Sequence, residues 1–280
     1  MPASTHAIRK INRFELKYLI TLGQAERFKS ALRAYMTPDE HARDGRYALT
    51  SLYYDSPDLR CYWEKEYGLR FRRKLRIRRY ETDDPLTEES PVFVEIKQRV
   101  DRVTQKRRAV LTYGGALRLC NDRQLPDHYA PEDQAVIEEI YAFLWRYNLR
   151  PTSIVHYDRQ AFIGAEFDPG LRVTFDTALA FQSHRLRLHE DVSSLPMLPP
   201  SHAVMEIKVN EHIPFWLTEL IAAHNLKMIR VSKYCRSIEA AQSMPSLRWR
   251  NLPAERSEDA LASSLSVFSR LEEKMGIERQ

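Results

Sequence analysis

Residues 69–80 read LRFRRKLRIRRY, with a cation at nearly every position and Phe71, Leu75 and Ile77 set among them. Side chains on a β-strand point alternately to opposite faces, and the stretch sorts by that rule. Arg70, Arg72, Lys74, Arg76, Arg78 and Tyr80 fall on one face, whereas Phe71, Leu75 and Ile77 fall on the other with Arg73 and Arg79. Neighbouring charges along the cationic face stand about 6.6–7 Å apart, so each pair repels by roughly 0.6 kcal/mol in water and about 2.5 kcal/mol at an effective dielectric near 20. Water tolerates such a row, but a partly enclosed site needs an anion. From this strand alone, a solvated outer face of a sheet serves equally well.

The alternation recurs along the chain. In VFVEIKQR, Phe93, Glu95, Lys97 and Arg99 oppose Val92, Val94 and Ile96. Arg172, Thr174 and Asp176 oppose Leu171, Val173 and Phe175, and Glu206 with Lys208 opposes Met205, Ile207 and Val209. The first such segment sets Arg13, Glu15 and Lys17 against Phe14, Leu16, Tyr18 and Ile20, and VTQKRRAVL adds Lys106 and Arg108 on one face. Strands are expected over about 13–20, 46–55, 70–80, 91–99, 104–112, 153–163, 171–181 and 203–209. Their connections read mostly as loops or hairpins, which implies an α+β fold with a mainly antiparallel sheet. The acidic ETDDPLTEES is an exposed hairpin connection by this reading.

Helices are expected at 21–36, at 131–149 behind Pro131 and two acids, from Pro214, and near Ser232. A last amphipathic helix from about Ser257 is expected to pack on the body, with docking of a partner as the alternative. With 8 Gly and 15 Pro there is no Gly-rich phosphate loop and no low-complexity linker. The reading is one body over 1–255 and a helical tail over 256–280.

Composition narrows the class without deciding it. The 280 residues are 43% hydrophobic and 29% charged, and 43 Lys+Arg against 38 Asp+Glu leaves only +5, so the signal lies in how the cations cluster. Cys61, Cys120 and Cys235 are far apart and in no metal-ligand spacing. That argues against a disulfide framework or a zinc site and for a reducing cytoplasm. No run approaches a signal-peptide core or the roughly 18 apolar residues of a membrane span. A cytoplasmic protein is expected, docked at most peripherally at the inner face of a membrane through a separate membrane protein.

Two architectures explain the alternation. A half-exposed sheet predicts mixed, arbitrary charged faces, whereas these are Arg-heavy on one strand and carry Glu-plus-Lys pairs on others. The alternative is an eight-stranded β-barrel turned inside out, with charge lining its lumen, apolar faces outside under flanking α-helices, and no exposed strand edge. A lumen of many cations and a few carboxylates suits a polyphosphate chain or a nucleoside triphosphate. Arg forks grip phosphate oxygens, Lys supplies point charge, and carboxylates hold a divalent metal.

In order, RFELKY, SLYYD, KLRIRRY, FVEIKQR, QKRRA, YDRQAF, LRVTFDT, VMEIKV and SKY resemble the VTC domain, the polyphosphate polymerase module of the triphosphate tunnel (CYTH-like) superfamily. The resemblance covers about 10–240. It implies an antiparallel tunnel in which the γ-phosphate of ATP passes to a growing polyphosphate chain, with Mn²⁺ or Mg²⁺ as cofactor. Carried over, Lys17, Arg76, Arg78, Lys97, Lys106, Arg159 and Arg172 resemble the basic lining, and Glu206 the metal-binding carboxylate. Lys233 resembles the lysine of the helix that closes the tunnel. Tyr157 shares the face of Arg159 and is expected to bond phosphate. Arg99 stands where a eukaryotic counterpart has a histidine, which leaves its role open, and Glu15, Glu95 and Asp176 read equally as metal ligands or as ion-pair partners.

The same lining also suits a triphosphate or nucleoside-triphosphate phosphohydrolase, or a non-catalytic sensor of polyphosphate or inositol phosphates. Nucleic acid is a poor fit, because single-strand recognition calls for aromatics alternating with cations and the dense strand carries only Phe71 and Tyr80.

Overall fold

The computed structural model describes residues 14–40, 43–101, 103–165, 168, 170–188, 194–210 and 212–243. The expected tail helix over 256–280 lies outside the described residues. The strands are β1 (Phe14–Thr21), β2 (Met36–Pro38), β3 (Arg46–Asp55), β4 (Phe71–Tyr80), β5 (Pro91–Val100), β6 (Val103–Thr112), β7 (Arg150–Gly164), β8 (Arg172–Gln182), β9 (Leu195–Pro196) and β10 (His202–Val209). The α-helices are α1 (Leu22–Leu32), α2 (Arg60–Glu66), α3 (Tyr113–Leu117), α4 (Gln134–Tyr147), α5 (Phe215–Ala223) and α6 (Lys233–Ser243).

The strands form one antiparallel sheet in the order β1-β10-β8-β7-β3-β4-β5-β6, with β2 paired to β7 and β9 to β8. Two short strands thus join the eight expected, and the expected closure is absent among the described residues. The reason lies at the edge of β1. Met228 bridges to Tyr18, and the Ile229 amide donates to the Lys17 carbonyl at 2.7 Å, so the segment entering α6 occupies the edge that closure onto β6 requires.

The sheet nevertheless curls. Lys97 on β5 reaches Glu15 on β1 at 2.8 Å, although the two strands are six ladder steps apart. In a flat sheet that separation is about 29 Å. The result is a trough whose concave face carries the charged side of each strand.

Apolar faces pack outward under helices, as the alternation requires. Leu75, Ile77, Val92, Val94 and Ile96 meet Ile137, Ile140 and Phe143 of α4, while Val173, Phe175, Met205 and Ile207 meet Phe28 of α1 and Leu217 of α5. Helix α1 starts on a reciprocal cap: Thr21 Oγ1 accepts from the Gln24 amide and Gln24 Oε1 accepts from the Thr21 amide. It stops at Leu32, short of the expected 36, because Met36–Pro38 leaves to pair with the far end of β7. Helix α6 does the opposite of the others. Its Tyr234, Cys235 and Ile238 pack on the concave side against Val155, Tyr157, Phe181 and Val204, filling one end of the trough.

Candidate functional site

All ten residues singled out from the sequence lie along this concave face or on the helix that fills its end. The four carboxylates there each hold more than one cation. Glu95 accepts from Arg76 Nε and Nη2 at 2.8 and 2.6 Å and from Lys106 at 3.1 Å. Asp176 takes a bidentate pair from Arg159 at 2.6 and 2.8 Å and a further ion pair from Lys233. Glu206 lies 3.3 Å from Lys17, 3.2 Å from Lys208 and 3.7 Å from Arg159. Glu15 binds Lys97 at 2.8 Å and stands 3.7 Å from Lys17. Arg172 sits to one side, donating to Asp39 at 2.6 Å and to the Tyr47 hydroxyl at 2.8 Å.

Arg78 is the exception. It is 6% exposed, donates to Ser51 Oγ at 3.0 Å and Tyr157 Oη at 2.8 Å, and pairs with no carboxylate among the described residues. A buried charge with only neutral hydrogen-bond partners is costly and calls for an anion nearby. Tyr157 comes closest to supplying one. Burial works to raise its pKa, yet Arg159, Arg78 and Lys233 bring it down to about 7. Lys233 Nζ stands 4.7 Å above its ring.

The other groups respond to the same field. Burial raises the Glu95 carboxyl, but Arg76, Arg78 and Lys106 outweigh it and hold it at about 2. Glu15 is held well below the carboxylate range by Lys97, Lys17 and Lys208 despite its burial. Lys17 and Lys208 lie well below the usual lysine range, first through burial and then through neighbouring cations. Exposure grades along the trough, with the Lys97 and Lys106 side chains 38% and 46% exposed and Lys233 11%.

Two contributors, Lys208 and Lys74, were sorted to the correct face in the sequence without being given a role, and a third, Tyr53, was assigned no face there. Lys208 pairs with Glu206, Tyr53 accepts from Arg76 Nη1 at 3.0 Å, and Lys74 donates to Ser232 Oγ at 2.7 Å and Cys235 Sγ at 3.2 Å. Alternation was the only signal for them, because their partners are remote in sequence. Arg99 turns out of the trough to the Asp101 carbonyl at 2.9 Å.

The donor set does not make a resident metal cage. Among the described residues no three His, Cys, Asp or Glu side chains come together, and Glu206 is already ringed by three cations. A divalent ion fits here only in company with phosphate oxygens, which suits the way Mg²⁺ is commonly held by one or two carboxylates plus substrate phosphates.

Fold and site together define an α+β protein whose curled sheet forms a trough lined with cations and the carboxylates paired to them. Residues 12–242 match the VTC domain family, and the chain belongs to that family. No curated protein matches it. Among solved structures, a Bacillus halodurans protein provisionally called an adenylate cyclase is 13% identical, with a TM-score of 0.44 over 79% of this chain and 95% of that one. The PH1819 protein of Pyrococcus horikoshii is 11% identical, with a TM-score of 0.42 over 81% of this chain and 99% of that one. These likenesses are too distant to bear on activity. Among the described residues no helix is long and apolar enough to cross a membrane.

Proposed function

We propose that this chain is a phosphotransferase that passes the γ-phosphate of ATP to the end of an inorganic polyphosphate chain lying in the trough, releasing ADP. Membership of the VTC domain family supports a polyphosphate-related role. The observation that carries the reading is the buried Arg78, without an acid partner and flanked by Tyr157, Arg76 and Arg159. Phosphoryl transfer asks mainly for in-line positioning and for neutralisation of charge on the moving group and the leaving oxygen. In this reading Arg76, Arg78, Arg159 and Lys233 bind and orient phosphates, and the more exposed Lys97 and Lys106 guide the chain. The acceptor is a phosphate terminus, already anionic, so no strong base is needed.

A divalent cation entering with ATP would be reached by Glu206 once phosphates draw Lys17 and Lys208 away from it. Such an ion would neutralise charge on the phosphates.

The test is to incubate the purified protein with ATP and Mn²⁺ and to follow ADP, orthophosphate and chain polyphosphate together, with Arg76→Ala as control. Polymer matched by ADP and lost in the variant is expected. Orthophosphate without polymer makes the protein a phosphohydrolase, and tight polyphosphate binding without turnover makes it a sensor.

A further inference from the structure

On the concave face of β8, between Arg172 and Asp176, Thr174 is fully buried and its Oγ1 has no hydrogen-bond partner among the described residues. Five other hydroxyls on this face are occupied. Ser51 and Tyr157 accept from Arg78, Tyr53 accepts from Arg76, Tyr47 accepts from Arg172, and Ser232 accepts from Lys74. The cross-strand neighbours of Thr174 are Ala161 on β7, which has no polar side chain, and Glu206 on β10, whose carboxylate is held by Lys17 and Lys208. A valine fills the same volume without burying an unpaired hydroxyl, so packing does not account for the oxygen.

We propose that Thr174 is a further phosphate-binding residue, its hydroxyl donating to a phosphate oxygen seated between Arg159 and Lys208. The proposal rests on the polyanion reading above and names one more contact within that site. In the free protein the hydroxyl is enclosed, with Glu206 directly across the strand pair and its carboxylate held by Lys17 and Lys208. Phosphate oxygens compete for those lysines, Glu206 is released, and Thr174 becomes reachable. A neutral donor adds a hydrogen bond where three cations, Lys17, Lys208 and Arg159, already surround Glu206, without adding to their repulsion. The surrounding positive charge favours an anionic oxygen over a cation as the partner.

Full-length wild type, Thr174→Val and Thr174→Ser are titrated calorimetrically with tripolyphosphate in EDTA, and the Tm of each is measured without ligand. Thr174→Val is expected to weaken tripolyphosphate by about tenfold while its ligand-free Tm holds or rises, because the unpaired hydroxyl is gone. Thr174→Ser is expected to stay within about threefold of wild type, since it keeps the donor. Equal affinity for Thr174→Val overturns the proposal, as does a loss of affinity accompanied by a lower ligand-free Tm, which makes the hydroxyl structural. In a parallel series with Mn²⁺ in place of EDTA, a loss confined to that series also overturns it, assigning the oxygen to a cation. If wild type itself fails to bind tripolyphosphate, the polyanion reading falls and this inference with it; binding by wild type with no effect of Thr174→Val sinks the inference alone.

Discussion

Arg78 and Tyr157 share one charge between them in a place where water is scarce. Arg78→Ala removes a buried cation that has no acid partner among the described residues and is expected to weaken tripolyphosphate about a hundredfold, read by calorimetry, because a charge-assisted contact in a desolvated site is lost. Arg78→Lys is expected to recover only part of it, since an ammonium cannot reproduce the fork to Ser51 and Tyr157. Tyr157 supplies the pH dependence. In the free protein its hydroxyl titrates at about 7, held down by Arg159, Arg78 and Lys233 against its burial. A phosphate bound to those cations replaces the phenolate as their counter-ion, so the bound protein favours neutral Tyr157. Above pH 7 binding therefore takes up a proton at this residue, and affinity falls by up to about tenfold per pH unit from this group alone. Below pH 7 its contribution is flat. Calorimetry at pH 8 in two buffers of different ionisation enthalpy is expected to show about one more proton taken up by wild type than by Tyr157→Phe. Equal uptake by the two proteins removes the phenolate from the account.

Helix α6 is the element that turns a curled sheet into a site with a floor. It is pinned through Lys233 to Asp176, through Ser237 to Ser153 and through Tyr234 to Asp55. Asp55, at the end of β3, also accepts from the amides of Ser56, Cys61 and Tyr62 at 2.7, 2.8 and 3.0 Å, so one carboxylate ties α2 and α6 to the sheet. Tyr234→Phe leaves that carboxylate one donor short and is expected to cost about 1–3 kcal/mol, seen as a lower urea midpoint at unchanged m. Helix α1 illustrates a boundary that is local, since Thr21 and Gln24 close the reciprocal cap within one turn. Helix α2 is the converse. It has seven residues, too few for a periodic pattern to speak, and its N-cap position is Leu59 at φ 57° with no side-chain cap. Its first amide, of Arg60, donates to Ser56 Oγ at 2.8 Å and the next two donate to Asp55, which reaches them only because β3 ends there.

At the scale of the whole molecule, the open sheet keeps its curl through side chains and covering helices rather than through a closing ladder. Glu15 on the edge strand β1 meets Lys97 across the trough. Glu15→Gln is expected to raise hydrogen exchange at the β1 amides while shifting global stability by less than about 1 kcal/mol, because a partly exposed ion pair contributes little to the total but governs a local opening. Unchanged protection at β1 would mean that β10 and the Met228–Ile229 segment hold that strand unaided.

The period-two alternation in β4, β5, β8 and β10 was enough, read from the sequence, to assign which side chains share a face, and hence an antiparallel α+β fold with one cationic side. That followed because the parity of a strand is a local property of the backbone. The pairing of those faces was not local. Lys97 and Glu15 are 82 positions apart, Tyr157 and Arg78 are 79, and Lys17 meets the Val231 carbonyl across 214. Nothing in a strand's own residues records which carboxylate will neutralise which cation, or that Arg78 will be buried without one and Thr174 without a partner. Nor does alternation state whether a sheet closes. That was decided where the chain entering α6 took the free edge of β1, a competition between two backbone partners that exists only once the sheet has curled.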